Sequence, residues 1–554
     1  MPKKYITALR VLFAVSFAAI GLYHELASAL MGMVLLIWLI FLKKEQALRY
    51  HASVTIVAPF AIYICYVLSC IWAVDSGLAA WGIARYLPLP LMALCLSQTE
   101  SKERATILQD IPWIGGAMTV VSYVLQFVPL LHDMFSVSDR LSGFFLYPNT
   151  FACFLLLGLE VLLLQTEKLR WSEIVCAVVL AFGLLQAGSR TVFVLAIAAI
   201  LVCLLLKRKK PAYMIAGASV AGGILLMLAA NLIARNTATE HMLDISTNAS
   251  TLLGRLLYWK DALPQIVKHP FGLGYLGYYV TQSSFQTGVY SVRWIHNDAL
   301  QLLLDIGWVP VIIALVALIK AVISKRVTIL QKVVLLTLLA HCMMDFDLEF
   351  VAMYFVLLLC LDWEEGKKQT LKFGAIPVAL ASILTAATLY IGVGSTLNYM
   401  DKHEAAVKCY PWDTLSRTEL LTQATTAEEM DAQADQILKQ NDYVALAWDA
   451  KAQAAFSRGD FSTVIQAKQR AMTLNKYATD EYVDYFEKLR VGYELYQQNS
   501  DTDSAEICRQ EIVDIQNRID MVLEETDSLA WRIVDQPELT MPQEYYDYLT
   551  SISK

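Results

Sequence analysis

The sequence predicts an all-α protein: a polytopic membrane helical bundle of about 12–13 spans with a soluble, helical, repeat-like domain at its C-terminal end. Three observations carry this expectation. The 554 residues are 57% hydrophobic and only 17% charged, with a mean hydropathy of +0.47, whereas a soluble chain carries about a quarter charged residues. The apolar residues fall in long blocks. From about Asn398 onward those blocks stop, and charged residues, Ala, Gln and Asp take over.

A helix that crosses the hydrocarbon core needs roughly 20 apolar residues. Candidate spans lie at about 6–23, 26–42, 52–74, 79–97, 107–130, 150–166, 170–188, 190–206, 211–233, 298–319, 329–345, 348–362 and 372–395. Several are short or carry proline (Pro59, Pro88, Pro90, Pro112). Lys3, Lys4 and Arg10 precede the first apolar run as in a signal peptide, but a second run follows at once, so this segment is expected to remain as an anchor.

Placing the N-terminus in the cytoplasm gives a consistent alternation. The cytoplasmic connections then hold Lys3/Lys4, Lys43/Lys44/Arg49, Lys102/Arg104, Lys168/Arg170, Lys207/Arg208/Lys209/Lys210, Lys325/Arg326/Lys332 and Lys367/Lys368/Lys372. The expected division is a membrane domain over 1–395 and an extracytoplasmic domain over 396–554. Two outside connections are long, at about 131–149 and about 234–297. They carry arginine against the usual bias: Arg140 in the first, then Arg235, Arg255 and Arg293, with Arg190 at an outside helix mouth in "QAGSRTVF". Contact with lipid headgroups is the simpler explanation; a bound anion is the other.

The net charge of −7 argues against a nucleic-acid partner. Eight of the ten cysteines lie in apolar segments, where they act as small hydrophobes. Cys409 and Cys508 are far apart in the polar tail and are expected to be free. No cysteine or histidine spacing suggests a metal site. In the tail, "ALAWDAKAQAAFSRGDFSTVIQAKQRAMTLNKY" reads as helix-turn-helix broken at Gly459-Asp460. Trp448, Ala452, Gly459, Phe461, Ala471 and Leu474 fit tetratricopeptide spacing, with Lys476 where proline is usual. One such repeat is legible, and an ordinary helical bundle fits nearly as well. The tail has no catalytic cluster and reads as a binding or docking module.

Two polar clusters sit where apolar helices begin or end. In "WIHNDALQLLLDIG", Asn297, Gln301 and Asp305 fall at i, i+4 and i+8 on one helical stripe. Polar groups inside a bilayer pair with one another or line a cavity, so the stripe predicts a water-accessible cleft opening outward. His296 stands at its rim, where a neutral imidazole can accept a proton; capping the helix together with Asn297 is the alternative. In "HCMMDFDLEF", His341 and Asp345 are one helical turn apart and either orient a substrate or satisfy each other.

These residues resemble the O-antigen ligase and polymerase superfamily. "HNDALQLLLDIG" is similar to that family's His-[Asn/Ser/Gln], nine residues, Gly signature, with His296, Asn297 and Gly307 in place, although Pro310 stands where a small or hydroxylated residue is usual. "RLSGFFLYPNTFACFL" resembles its Pro-Asn helix entry and "GSRTVFVLA" its Ser-Arg helix start. "GRLLYWKDALPQIVKHPFGLGYLGY" resembles a segment of its long outside loop, and "HCMMDFDLEF" its late His…Asp pattern. The resemblance covers about 140–350. It implies a GT-C-like bundle in the bacterial cytoplasmic membrane that moves a glycan from an undecaprenyl-diphosphate carrier on the outer face. The acceptor would be a lipid-linked sugar, a growing chain or a protein hydroxyl.

On that reading the diphosphate leaving group needs cationic partners, and arginine holds it bidentately. Arg190, Arg255 and Arg293 are the candidates, with Arg140 a fourth. His296 would be the general base and Asn297 would orient it or the substrate, with His341 and Asp345 as further substrate contacts. No cofactor or metal is expected, and the resemblance implies inversion at the anomeric carbon. Two other functions compete. A lipid-glycan transporter or flippase would need charges through both leaflets and internal repeats, and the sequence has neither. An envelope scaffold would act through the tail.

Overall fold

The computed structural model describes residues 1–165, 170–207, 222, 225, 229, 237–238, 250–372 and 374–552. The expected span at 211–233 apart from residues 222, 225 and 229, Arg235, and Lys168, Arg208, Lys209 and Lys210 lie outside the described residues. Those described are overwhelmingly helical, and the strands form two small antiparallel ribbons, Arg49–Ala52 with Lys367–Thr370 and Ser136–Val137 with Arg140–Leu141. Among the described residues, three helices are long and apolar enough to cross a membrane: Glu25–Glu45, Ser76–Ser97 (continuous except for the turn at Leu87) and Ala375–Tyr399. Shorter apolar helices include Val54–Ser69, Trp171–Ala187, Trp308–Ile323 and Ile329–Cys342. Ala375–Tyr399 leaves Ile376, Leu380 and Ile383 more than 60% exposed, a surface suited to hydrocarbon rather than water.

Several expected spans are broken, each for a local reason. The 79–97 segment divides at Pro88, which occupies the first turn of the helix Pro88–Ser97, where its missing N–H costs nothing. The 107–130 segment divides into Ser101–Leu108 and Ile111–Leu125, with Pro112 again in a first turn. The 298–319 segment is two helices, Asp298–Ile306 and Trp308–Ile323, because Gly307 adopts φ 76°, ψ −170°, a conformation only glycine reaches freely. Helix starts follow the capping rules. Thr328 and Gln331 cap each other reciprocally: the Gln331 N–H donates to Thr328 Oγ1 at 3.2 Å, and the Thr328 N–H to Gln331 Oε1 at 3.0 Å.

The chain divides into two compact units. The first comprises Met1–Leu68, Trp81–Ser246 and Ile295–Gly392. In it, connections assigned to the same side by charge meet one another. The ribbon joins Arg49–Ala52 to Lys367–Thr370, Arg104 pairs with Glu364 at 3.1 Å, and Arg326 pairs with Asp362 at 2.8 Å.

The second unit comprises Ser69–Ala80, Thr247–Trp294 and Val393–Lys554, so the described part of the long loop and the short 69–80 connection fold with the tail. Gly77 lies so close to the Trp412 carbonyl that a Cβ would come within 1.9 Å of it. Asp75 accepts from Gln440 Nε2 at 3.0 Å and Asn441 Nδ2 at 3.1 Å. Leu253, Leu257 and Tyr290 of the loop pack with Ala530 and Ile533 of the tail. The tail itself is a run of helices, among them Ala427–Gln440, Ala445–Ser457, Phe461–Leu474, Thr479–Gln498 and Thr502–Glu525. Gly459, at φ 74°, and the N-cap Asp460 make the expected break between the second and third of these. Neither Cys409 nor Cys508 is in a disulfide.

Candidate functional site

The site is built where the chain enters the helix Asp298–Ile306. Asn297 is its N-cap: its Oδ1 accepts from the Leu300 N–H at 3.1 Å, and its Nδ2 donates to the Met343 carbonyl at 3.0 Å. Capping by Asn297 is therefore real, and it forces the preceding residue to turn. His296 adopts φ +54°, the left-handed region, which for a residue with a Cβ costs about 1–2 kcal/mol. Such strain is held by surrounding contacts and tends to gather at functional sites.

Those contacts come from the segment after the helix Ile329–Cys342. His296 Nδ1 is 3.3 Å from Asp345 Oδ1, and the imidazole sits edge-on to Phe346 with centroids 5.0 Å apart. Asp345 is saturated with donors. Its Oδ1 accepts from Tyr147 Oη at 2.9 Å and the Phe346 N–H at 3.0 Å, and its Oδ2 accepts from Asn149 Nδ2 at 2.8 Å. Arg140 joins this group, donating from Nη2 to Asn149 Oδ1 at 2.6 Å and from Nε to the Ala187 carbonyl at 2.8 Å. The histidine side chain is 21% exposed and the aspartate 1%, so the imidazole is accessible from outside the protein and the carboxylate behind it is not.

The expected pairing of His341 with Asp345 is replaced by another. The helix ends at Cys342 and the chain turns, which carries Asp345 to His296. His341 Nδ1 instead meets Asp347 Oδ2 at 2.5 Å, and Thr150 Oγ1 donates to Asp347 Oδ1 at 2.7 Å. His341 and Asp347 are fully buried, so this pair packs inside the protein rather than at the rim where His296 stands.

The polar stripe exists but does not line an open cleft. Asn297, Gln301 and Asp305 are 3%, 2% and 0% exposed. Gln301 Oε1 accepts from the Ile295 N–H at 3.1 Å, its Nε2 donates to Asp305 Oδ1 at 2.9 Å, and Tyr66 Oη donates to Asp305 Oδ2 at 3.0 Å. Protein groups satisfy the stripe, which fixes the start of the helix. Asp298, also buried, accepts from the Leu348 N–H at 3.1 Å and ties the same two segments together.

Arg190 opens the helix Arg190–Lys207, three residues beyond the carbonyl that Arg140 grips. Arg255 and Arg293 belong to the second unit. Arg255 lies on the helix Ser250–Lys268, and Arg293 donates to Tyr399 Oη at 2.8 Å with its guanidinium 5.5 Å from the Trp294 and Tyr399 rings.

Sequence reading missed Tyr147, Asn149 and Thr150, although the "YPNT" segment that holds them had been singled out. It also missed Arg85, whose signal was a cation inside an apolar run. Donor atoms of Cys153, His341 and Asp347, and of Asp298, Cys342 and Asp347, lie within 4.8 Å of one another. Distant helices bring them together, so no linear spacing could reveal them. Thr150 and His341 already engage both Asp347 oxygens.

An apolar cavity of about 600 Å³ lies beside this site, lined by Pro59, Leu89, Ala299, Leu315, Met343 and others, and it reaches Asp298. Residues 175–316 match a family model described as O-antigen ligase. No curated protein and no solved structure matches the chain. The match supports an enzyme of glycan transfer in envelope polysaccharide synthesis, working in a membrane on a lipid-linked donor.

Proposed function

We propose that this O-antigen ligase-like chain transfers a glycan from an undecaprenyl-diphosphate carrier to an acceptor hydroxyl at the outer face of the cytoplasmic membrane, with His296 as the general base. The observation that carries the proposal is the strained, partly exposed His296 held by the buried, donor-saturated Asp345. With Nδ1–H donated to the carboxylate, the basic nitrogen is Nε2. Asp345 orients the ring and stabilises the imidazolium that forms when a proton arrives.

The step is one displacement. The acceptor oxygen attacks the anomeric carbon as its proton passes to His296. The bond from that carbon to the diphosphate breaks, and undecaprenyl diphosphate leaves with the electron pair, so configuration inverts. Arg140 and Arg190 of the first unit are assigned to the anionic donor, since guanidinium stays charged at every working pH and matches phosphate geometry; Arg255 and Arg293 of the second unit are carried as donor contacts by the resemblance alone. With that charge in place, the reaction requires no metal. The apolar cavity beside Asp298 suits the isoprenoid tail of the carrier.

The proposal further places the N-terminus and the Lys-rich connections in the cytoplasm and the second unit outside, with the tail as a tetratricopeptide-like module that meets the acceptor. The test is reconstitution in liposomes with a defined undecaprenyl-diphosphate oligosaccharide. Lengthened chains identify a polymerase and movement to a different acceptor a ligase; consumption of neither donor nor acceptor would refute the proposal.

A further inference from the structure

Arg85 lies in the middle of an apolar segment and is 0% exposed. Its Nη2 donates to Glu25 Oε1 at 2.8 Å and its Nη1 to Glu349 Oε2 at 2.9 Å, with the Glu349 carbonyl 3.5 Å from the same nitrogen. Tyr86 Oη donates to the other Glu349 oxygen at 3.2 Å. A buried, membrane-depth cation is costly unless its partners and its task are both specific.

Two routes lead from Arg85 to His296. The first is the chain itself. Glu349 closes the single helical turn Asp347–Glu349, so fixing both its side chain and its carbonyl fixes the turn that follows Asp345. The second is aromatic. The Arg85 guanidinium lies 4.5 Å over the Tyr23 ring, Tyr23 packs on Phe350 at 5.1 Å, Phe350 stacks on Phe346 at 6.4 Å, and Phe346 meets His296 at 5.0 Å. Tyr147, which donates to Asp345, stacks on Phe346 at 4.5 Å. Phe346, which touches both the His296 ring and the Tyr147 ring, therefore belongs to the segment whose end Arg85 clamps, while Asn149 reaches Asp345 from a separate helix.

We infer that Arg85 is a positioning residue for the reaction: through Glu349 and Tyr23 it sets the 345–350 segment so that Asp345 meets His296. This rests on the functional reading above. Lysine would keep the charge, but a single ammonium lacks the fork that holds two carboxylates. The decisive variant removes the charges together, as Arg85→Met/Glu25→Gln/Glu349→Gln, because an apolar replacement of a buried ion group can fold as well as the original.

Both R85K and the triple variant would be purified and reconstituted, and each compared with wild type by melting temperature, kcat, donor KM and the rate at which diethyl pyrocarbonate modifies His296, read by mass spectrometry. The inference expects kcat to fall at least about tenfold in both variants while donor KM stays within about twofold. It also expects His296 to be modified faster in the triple variant even if that variant melts like wild type. A triple variant with wild-type kcat and unchanged His296 modification would overturn it. If wild type itself transfers no glycan, the functional reading falls, and the His296 modification rates still decide the positioning claim.

Discussion

Asp345 holds His296 from behind: the carboxylate is buried under donors from Tyr147, Asn149 and the Phe346 backbone N–H, and the imidazole Nδ1 lies 3.3 Å away with its ring at the surface of the site. The arrangement separates the group that meets substrate from the group that tunes it. Asp345→Asn keeps the size of the side chain and removes the charge that stabilises an imidazolium. It should lower kcat by about 10²- to 10⁴-fold with little change in donor KM. Steady-state kinetics on reconstituted protein checks this, and a kcat within a few-fold of wild type would remove Asp345 from the mechanism.

His341 should behave differently from His296. Its replacement by Ala leaves Asp347 buried without its imidazole partner, which should cost about 3–5 kcal/mol of stability. Thermal melting in detergent should record the loss. The fraction that remains folded should keep a near-normal kcat, whereas a catalytic defect without a melting shift would restore His341 to the substrate path.

Tyr399→Phe removes one hydrogen bond to Arg293 and leaves the ring beneath the guanidinium. A hydrogen bond to a charged group is worth about 1.5–3 kcal/mol, so donor KM should rise roughly ten- to a hundredfold at unchanged kcat if Arg293 binds the donor. An unaltered KM would assign Arg293 to the fold alone.

The tail carries a buried lysine, Lys468, among Asp449, Glu481 and Asp484, at 2.6, 2.6 and 2.9 Å. Burial, only partly offset by Lys468 and assisted by repulsion from Glu481, raises the Asp449 carboxyl to about 7. The folded tail then binds a proton that the unfolded chain has released, so stability from this group is present at low pH and is lost as pH rises from about 4 through about 7. Asp449→Asn should remove that dependence. Hydrogen-exchange protection of the helix Ala445–Ser457, corrected for intrinsic rates, should fall between about pH 5 and about 7 in wild type and stay level in the variant.

The sequence made the apolar helices, the meeting of lysine-rich connections and the polar character of the His296 stretch legible, because hydropathy and charge are local. The breaks at Pro88 and Gly307 were legible in principle, since each is a property of one residue type. The partner of Asp345 was not: helical spacing pointed to His341, and only the turn after Cys342 sends Asp345 to His296. The stripe Asn297–Gln301–Asp305 was read correctly as one face, but its destination depended on Tyr66 and Met343, which are distant in sequence. Arg85 was visible as a charge in an apolar run, yet Glu25 and Glu349, which give it meaning, lie 60 and 264 residues away.

The most direct test of the central claim is His296→Ala in liposomes with a defined undecaprenyl-diphosphate oligosaccharide, measuring donor binding and glycan transfer in the same preparation. The account predicts donor affinity within about threefold of wild type and transfer reduced to background. Transfer at the wild-type rate by the variant would contradict it.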